Sequence, residues 1–159
     1  MFYARRFVTF VLFSTVAGCS SESPTDLVDS GPQLVKIPGA ATGGLPLTTM
    51  LSGDAEVPPA DPDGTGSALV TLNQGQDTVC FQLEWSDIAA PTRAHIHRGV
   101  AGVNGGIVVA FFDFVDPAPE TGCVAADAEL VKEIRQNPAD FYVNIHNDDF
   151  PGGAVRGQL

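Results

Sequence analysis

The stretch Thr78-Val-Cys-Phe-Gln-Leu-Glu-Trp85 sets Val79, Phe81, Leu83 and Trp85 on one parity and Thr78, Gln82 and Glu84 on the other. Successive side chains of an extended chain point to opposite sides, so this period-two pattern predicts a strand with one buried and one solvated face. Outward from it, short β-type runs alternate with turn clusters from Leu45 to the C-terminus. Further strands are predicted near 49–53, 66–73, 93–98, 106–114, 140–146 and 153–159. The breaks fall at Val57-Pro-Pro-Ala-Asp-Pro-Asp-Gly64, at Gly99–Gly106 and at Pro151-Gly-Gly153. That spacing is the pattern of an antiparallel β-sandwich or barrel. Ile107-Val-Val-Ala-Phe-Phe112 is apolar on both parities and predicts a central strand. A single short helix interrupts the series, with Asp127 as N-cap, Leu130, Val131 and Ile134 on one stripe, Arg135 near its end and Pro138 beyond.

The N-terminus has a different character. Arg5 and Arg6 precede an apolar run, Phe7 to Val16, which ends in Ala17-Gly18-Cys19. The run is shorter than the ~20 residues a spanning helix needs, and it has the layout of an export signal. Val16-Ala17-Gly18-Cys19 resembles the lipobox of bacterial lipoproteins, in which the cysteine thiol is acylated and the chain is cut before it. Residues 1–18 are thus expected to be a lipoprotein signal peptide. Residues 19–44, rich in Ser, Pro, Gly and acids, are expected to be a flexible acylated tether, and residues 45–159 a single domain. The expected location is outside the cytoplasm, membrane-anchored through Cys19, and at the outer membrane if the host is Gram-negative, since Ser20 follows the cysteine.

Charge narrows the partners. The whole chain carries −11; removal of residues 1–18 takes Arg5 and Arg6 with it and leaves 6 Lys+Arg against 19 Asp+Glu, a formal charge of −13. Such a surface repels phosphate backbones and anionic head groups, so nucleic acid is not an expected partner and the lipid is the expected membrane contact. A protein, a glycan or a metal ion remains open as ligand. With Cys19 given to the lipid, Cys80 and Cys123 form an even pair in an oxidising compartment and are expected to form a disulfide; two buried free thiols are the alternative.

Three segments carry a family resemblance: Leu51-Ser-Gly-Asp-Ala-Glu-Val-Pro-Pro59; Ala94-His-Ile-His-Arg-Gly99 followed by Gly102 and Gly105-Gly-Ile-Val-Val109; and Phe141-Tyr-Val-Asn-Ile-His146 followed by Phe150-Pro-Gly-Gly-Ala-Val-Arg-Gly-Gln-Leu159. In this order they resemble the signature of the chordin-domain (CHRD) family, in its bacterial lipoprotein form. The resemblance implies an antiparallel β-sandwich of immunoglobulin-like or superoxide-dismutase-like character with one short helix, and no settled activity. The chain departs from the commoner pattern at Asn147, where threonine is frequent, and at Ala154, where an acid often stands.

All three histidines lie in these segments. Parity places His95 and His97 on one face of their strand, and Tyr142, Asn144 and His146 on one face of theirs, opposite Phe141, Val143 and Ile145. If the two strands are neighbours, three imidazoles converge on the polar face, a set suited to Zn²⁺ or Cu²⁺ with an open fourth position. Hydrogen bonds from the same rings to the 99–106 loop and the 147–151 turn are the plainer alternative. Glu56, Asp148 and Asp149 are candidate carboxylate partners for a metal, for Arg156 or for Arg98, and Asn144 is a candidate supporting residue. Arg156 is expected to fix a loop through its fork of donors. Binding of a metal by ordinary imidazoles would weaken as pH falls through about 6.5.

Phosphate-loop, calcium-loop and nucleophile-elbow patterns are missing from the sequence, and no catalytic residue is assigned. The functional expectation is a non-catalytic binding or structural module of the cell envelope. Its competitor is a histidine-based copper or zinc protein, dismutase-like in one version. The anchor is directly testable: wild-type protein should enter the detergent phase in a phase-separation assay and Cys19→Ser should stay aqueous or accumulate as precursor. A wild type found wholly in the aqueous phase would exclude lipidation.

Overall fold

A computed structural model describes residues 44–159; the expected signal peptide (1–18), Cys19 and all but the last residue of the expected tether (19–44) lie outside the described residues. The strands are β1 (Leu45–Ser52), β2 (Thr65–Asn73), β3 (Thr78–Ser86), β4 (Arg93–Arg98), β5 (Ile107–Asp113), β6 (Thr121–Ala125), β7 (Phe141–His146) and β8 (Val155–Gln158), with the helix α1 (Ala128–Gln136) between β6 and β7. All pair antiparallel, in the order β5-β4-β7-β8-β1-β2-β3-β6.

The alternation in β3 does what its parity predicts. Val79, Phe81 and Leu83 are buried while Glu84 is exposed. Phe81 stacks on Phe111 of β5 with ring centroids 4.6 Å apart, although β3 and β5 lie towards opposite ends of the strand order. The sheet therefore curls over a single core, and its outer strands β5 and β6 approach without forming a ladder. The result is a nearly closed, sandwich-like barrel. The helix seals one side: Asp127 Oδ1 accepts from the backbone N–H groups of Glu129 and Leu130, and Val131 and Ile134 enter the core. The cap satisfies N–H groups that the first turn cannot pair internally.

Two expectations are corrected. β5 is an outer strand, paired with β4 alone, and not a central one. Its apolar run reflects a place at the seam, where Val109, Phe111 and Phe112 are buried while Ile107 and Ala110 are exposed. The second correction is β6, which was not expected as a strand. Thr121-Gly-Cys-Val-Ala125 is short, and Gly122 breaks its pattern. The glycine is there for packing, because a Cβ on Gly122 would lie 2.8 Å from the Phe81 ring.

This extra strand brings Cys123 opposite Cys80, and the two form a disulfide joining β3 to β6. The bond closes a loop spanning 43 positions, a constraint on the unfolded chain of roughly 2–4 kcal/mol. The Cys80→Ala/Cys123→Ala variant should lose about that much stability in urea titrations while keeping its far-ultraviolet spectrum. An unchanged midpoint would show that the bond contributes nothing net.

Candidate metal centre

Strands β4 and β7 are hydrogen-bonded neighbours, in a register that pairs Arg93 with His146, His95 with Asn144 and His97 with Tyr142. One face of this ladder, carrying Ala94, Ile96, Phe141, Val143 and Ile145, lies in the apolar core. The other face carries the three imidazoles. It is buried too, not solvated: His95, His97 and His146 are 1%, 7% and 4% exposed. β-Bulges in the β4–β5 ladder, between Ala94 and His95 and between Ile96 and His97, break the pairing beside the site.

Each ring is anchored from outside the cluster. His97 Nδ1 lies 3.0 Å from the Gly105 carbonyl, His146 Nδ1 lies 3.1 Å from the Pro151 carbonyl, and His95 Nε2 lies 2.8 Å from Asp113 Oδ1. A carbonyl or carboxylate oxygen only accepts, so each of these ring nitrogens carries the proton. One ligand nitrogen from each histidine lies within 4.8 Å of the others, and in the neutral tautomers the inner nitrogens, His95 Nδ1, His97 Nε2 and His146 Nε2, carry the lone pairs. His95 Nδ1 and His146 Nε2 are 3.2 Å apart, and His97 Nε2 is buried with no partner. Hydrogen bonding to the loops and convergence of the rings are thus compatible, because different nitrogens serve each.

A second layer fixes the first. Tyr142 stacks flat on His97 with centroids 4.9 Å apart, and the Arg156 guanidinium lies 3.4 Å above the Tyr142 ring centroid. Arg156 donates to the carbonyls of Val100 and Val103 and to Asn104 Oδ1, clamping the loop after β4. Arg93 Nη2 donates to the same Pro151 carbonyl that His146 uses. Glu56 is buried against Asn144, whose Nδ2 donates to Glu56 Oε2 at 3.2 Å. It is not among the three clustered ligands. Asp148 and Asp149 are exposed on the turn after β7, outside the cluster. Arg98 pairs with Glu133 of the helix, through both terminal guanidinium nitrogens.

Some of this was out of reach of the sequence. Asp113 lies on the strand next to the histidines with nothing in its local pattern to mark it, and the Gly105 and Pro151 carbonyls carry no side-chain signal. Asn147, a noted departure, is buried; its Oδ1 accepts from Phe150 N–H at 2.7 Å and so shapes the turn that delivers the Pro151 carbonyl. Ala154 is fully buried, where an acidic side chain would lack water.

Burial holds His146 down to about 4, and burial likewise lowers His97. The rings therefore stay unprotonated, and thus able to ligate, to lower pH than the 6.5 of ordinary imidazole. Burial acts on Glu56 in the opposite sense, lifting it to about 7 against the pull of Arg156. The two effects oppose each other in stability. His146 takes a proton near pH 6.5 when unfolded but only near 4 when folded, so its contribution is complete above 6.5 and is lost as pH falls towards 4. Folded Glu56 keeps its proton up to about pH 7, whereas the unfolded chain releases it near 4.5, so its contribution is present below 4.5 and is lost as pH rises through 7. Metal-free wild type should therefore change less between pH 6.5 and 4.5 than Glu56→Gln. The variant should lose about 2–3 kcal/mol relative to wild type over that interval, read by urea titration. Parallel profiles for the two proteins would show that Glu56 is ionised in the fold.

Comparison with known proteins matches this sequence to one family. No curated protein and no solved structure gave a significant match. The family model of the CHRD domain matches residues 47–159, a span that takes in all eight strands from within β1 onward, the helix and every histidine. The chain belongs to the CHRD domain family.

Proposed function

We propose that this CHRD domain is a non-catalytic metal-binding module of the cell envelope, held at the membrane through Cys19 and taking up one Zn²⁺ or Cu²⁺ between His95, His97 and His146. The observation that carries the reading is the direction of the six ring nitrogens. Three donate outwards to Asp113, Gly105 and Pro151, and three lone pairs face inwards. Metal-ligating histidines have this arrangement, the outer acceptor fixing the tautomer and raising the basicity of the inner nitrogen.

Repulsion supports the same reading. With both rings neutral, the lone pairs of His95 Nδ1 and His146 Nε2, 3.2 Å apart, repel unless a proton or a cation lies between them, and burial keeps His146 from taking that proton. A tetrahedral Zn²⁺ site with Zn–N bonds of about 2.0–2.1 Å sets its ligand nitrogens roughly 3.4 Å apart, close to the His95–His146 spacing. The domain's acidic surface adds a long-range field that concentrates cations.

Calorimetric titration of metal-stripped protein should show one Zn²⁺ or Cu²⁺ per chain, and a folded His95→Ala/His97→Ala/His146→Ala variant should show none. Asp113→Ala, which removes only the outer acceptor of His95, should weaken binding about 10–100-fold. No binding by wild type, or equal binding by the triple variant, would leave the histidines a purely structural role and the domain a binding module for a protein or glycan.

A further inference from the structure

Asn144 occupies an unusual position beside the histidines. It faces His95 directly across the β4–β7 ladder and stands two residues before His146 on the same face of β7. Directly opposed side chains on one face of a sheet have Cβ atoms roughly 5 Å apart, so the amide belongs to the wall of the site. Asn144 is 2% exposed, and its Oδ1 has no hydrogen-bond partner.

Most neighbouring donor groups are committed elsewhere, although Arg93 Nε, on the residue opposite His146, is buried without a partner. The amide's own Nδ2 donates to Glu56 Oε2, which fixes the plane of the group and leaves Oδ1 as its free end. Arg156, the neighbour of Asn144 on β8, uses its guanidinium on Val100, Val103, Asn104 and the Tyr142 ring. The three histidines direct their N–H groups outwards. With the rings in these neutral tautomers, acceptors predominate in the enclosure: three imidazole lone pairs and one amide oxygen, beside the single unpaired donor Arg93 Nε. Buried acceptors are nearly always paired, and one left unpaired is destabilising. A cation held between the rings would give the amide oxygen beside them a partner as well.

We infer that Asn144 Oδ1 is the fourth ligand, closing a site of three nitrogens and one oxygen, with Glu56 as the positioning residue that holds the amide. This rests on the three-histidine reading and replaces the open fourth position expected from the sequence. Closed four-ligand sites retain a metal for structure, whereas catalytic sites keep a position for water or substrate. The turn between β7 and β8 is shaped to admit the pair, since a Cβ on Gly153, whose φ is +138°, would collide with both Glu56 Oε1 and Asn144 Nδ2.

Cobalt(II) reports coordination through its visible spectrum, and azide probes for an open position. Cobalt-loaded wild type should show a four-coordinate spectrum that azide leaves unchanged. Asn144→Ala should bind Co²⁺ at least about 10-fold more weakly, with a spectrum that shifts on adding azide. Asn144→Asp, which keeps an oxygen donor at the same place, should resist azide as wild type does. An azide-sensitive wild-type spectrum overturns the inference without any variant, as does an Asn144→Ala protein that binds cobalt as tightly as wild type. In both cases the three-histidine site survives. Failure of wild type to bind cobalt at all removes that site and the inference together.

Discussion

The pairing of β4 with β7 is the constraint on which the rest depends. This ladder is buried on both faces, so its residues serve two interiors at once. Ala94, Ile96, Phe141, Val143 and Ile145 complete the apolar core, and His95, His97, Tyr142, Asn144 and His146 form a polar enclosure behind it. A slip of one residue in either strand would exchange the two sets, putting imidazoles into hydrocarbon and isoleucines against polar loops. Core packing thereby fixes the register that brings the histidines together.

The polar interior is viable because the backbone supplies much of what its side chains need. Carbonyls of Gly105 and Pro151 orient two rings, while Arg156 and Asn147 hold the loops that deliver them. Arg156 also keeps a positive charge near the rings, which disfavours protonation of His97. Burial moves Glu56 and His146 in opposite directions, towards the uncharged form of each. An acidic protein thus contains a site whose acidic neighbour, Glu56, is driven towards neutrality and in which His97 and His146 are held towards the unprotonated form.

In the sequence, the strands were legible where one face is buried and the other solvated. β3 is the clearest case, and its bounds agree with its alternation. The helix was legible through Asp127 and its apolar stripe. β6 was not legible, because five residues with a central glycine do not form a periodic pattern and the strand exists through pairing with β3. The edge position of β5 was also hidden, since a run that is apolar on both faces describes burial and not the number of hydrogen-bonded neighbours.

The sequence by itself determined the parity of the histidines, the family signature, the even cysteine pair and the acidity of the domain. All of these depend on residue type and short-range spacing. Tertiary structure decided that β4 adjoins β7, that their polar face is roofed by loops, that Asp113 rather than Glu56, Asp148 or Asp149 contacts a histidine, and that Asn144, opposite His95, has a buried oxygen without a partner. The physical reason is that alternation along a strand fixes which way a side chain points, whereas which neighbour it meets is set by hydrogen bonding between segments distant in the chain and by the packing that holds them in register.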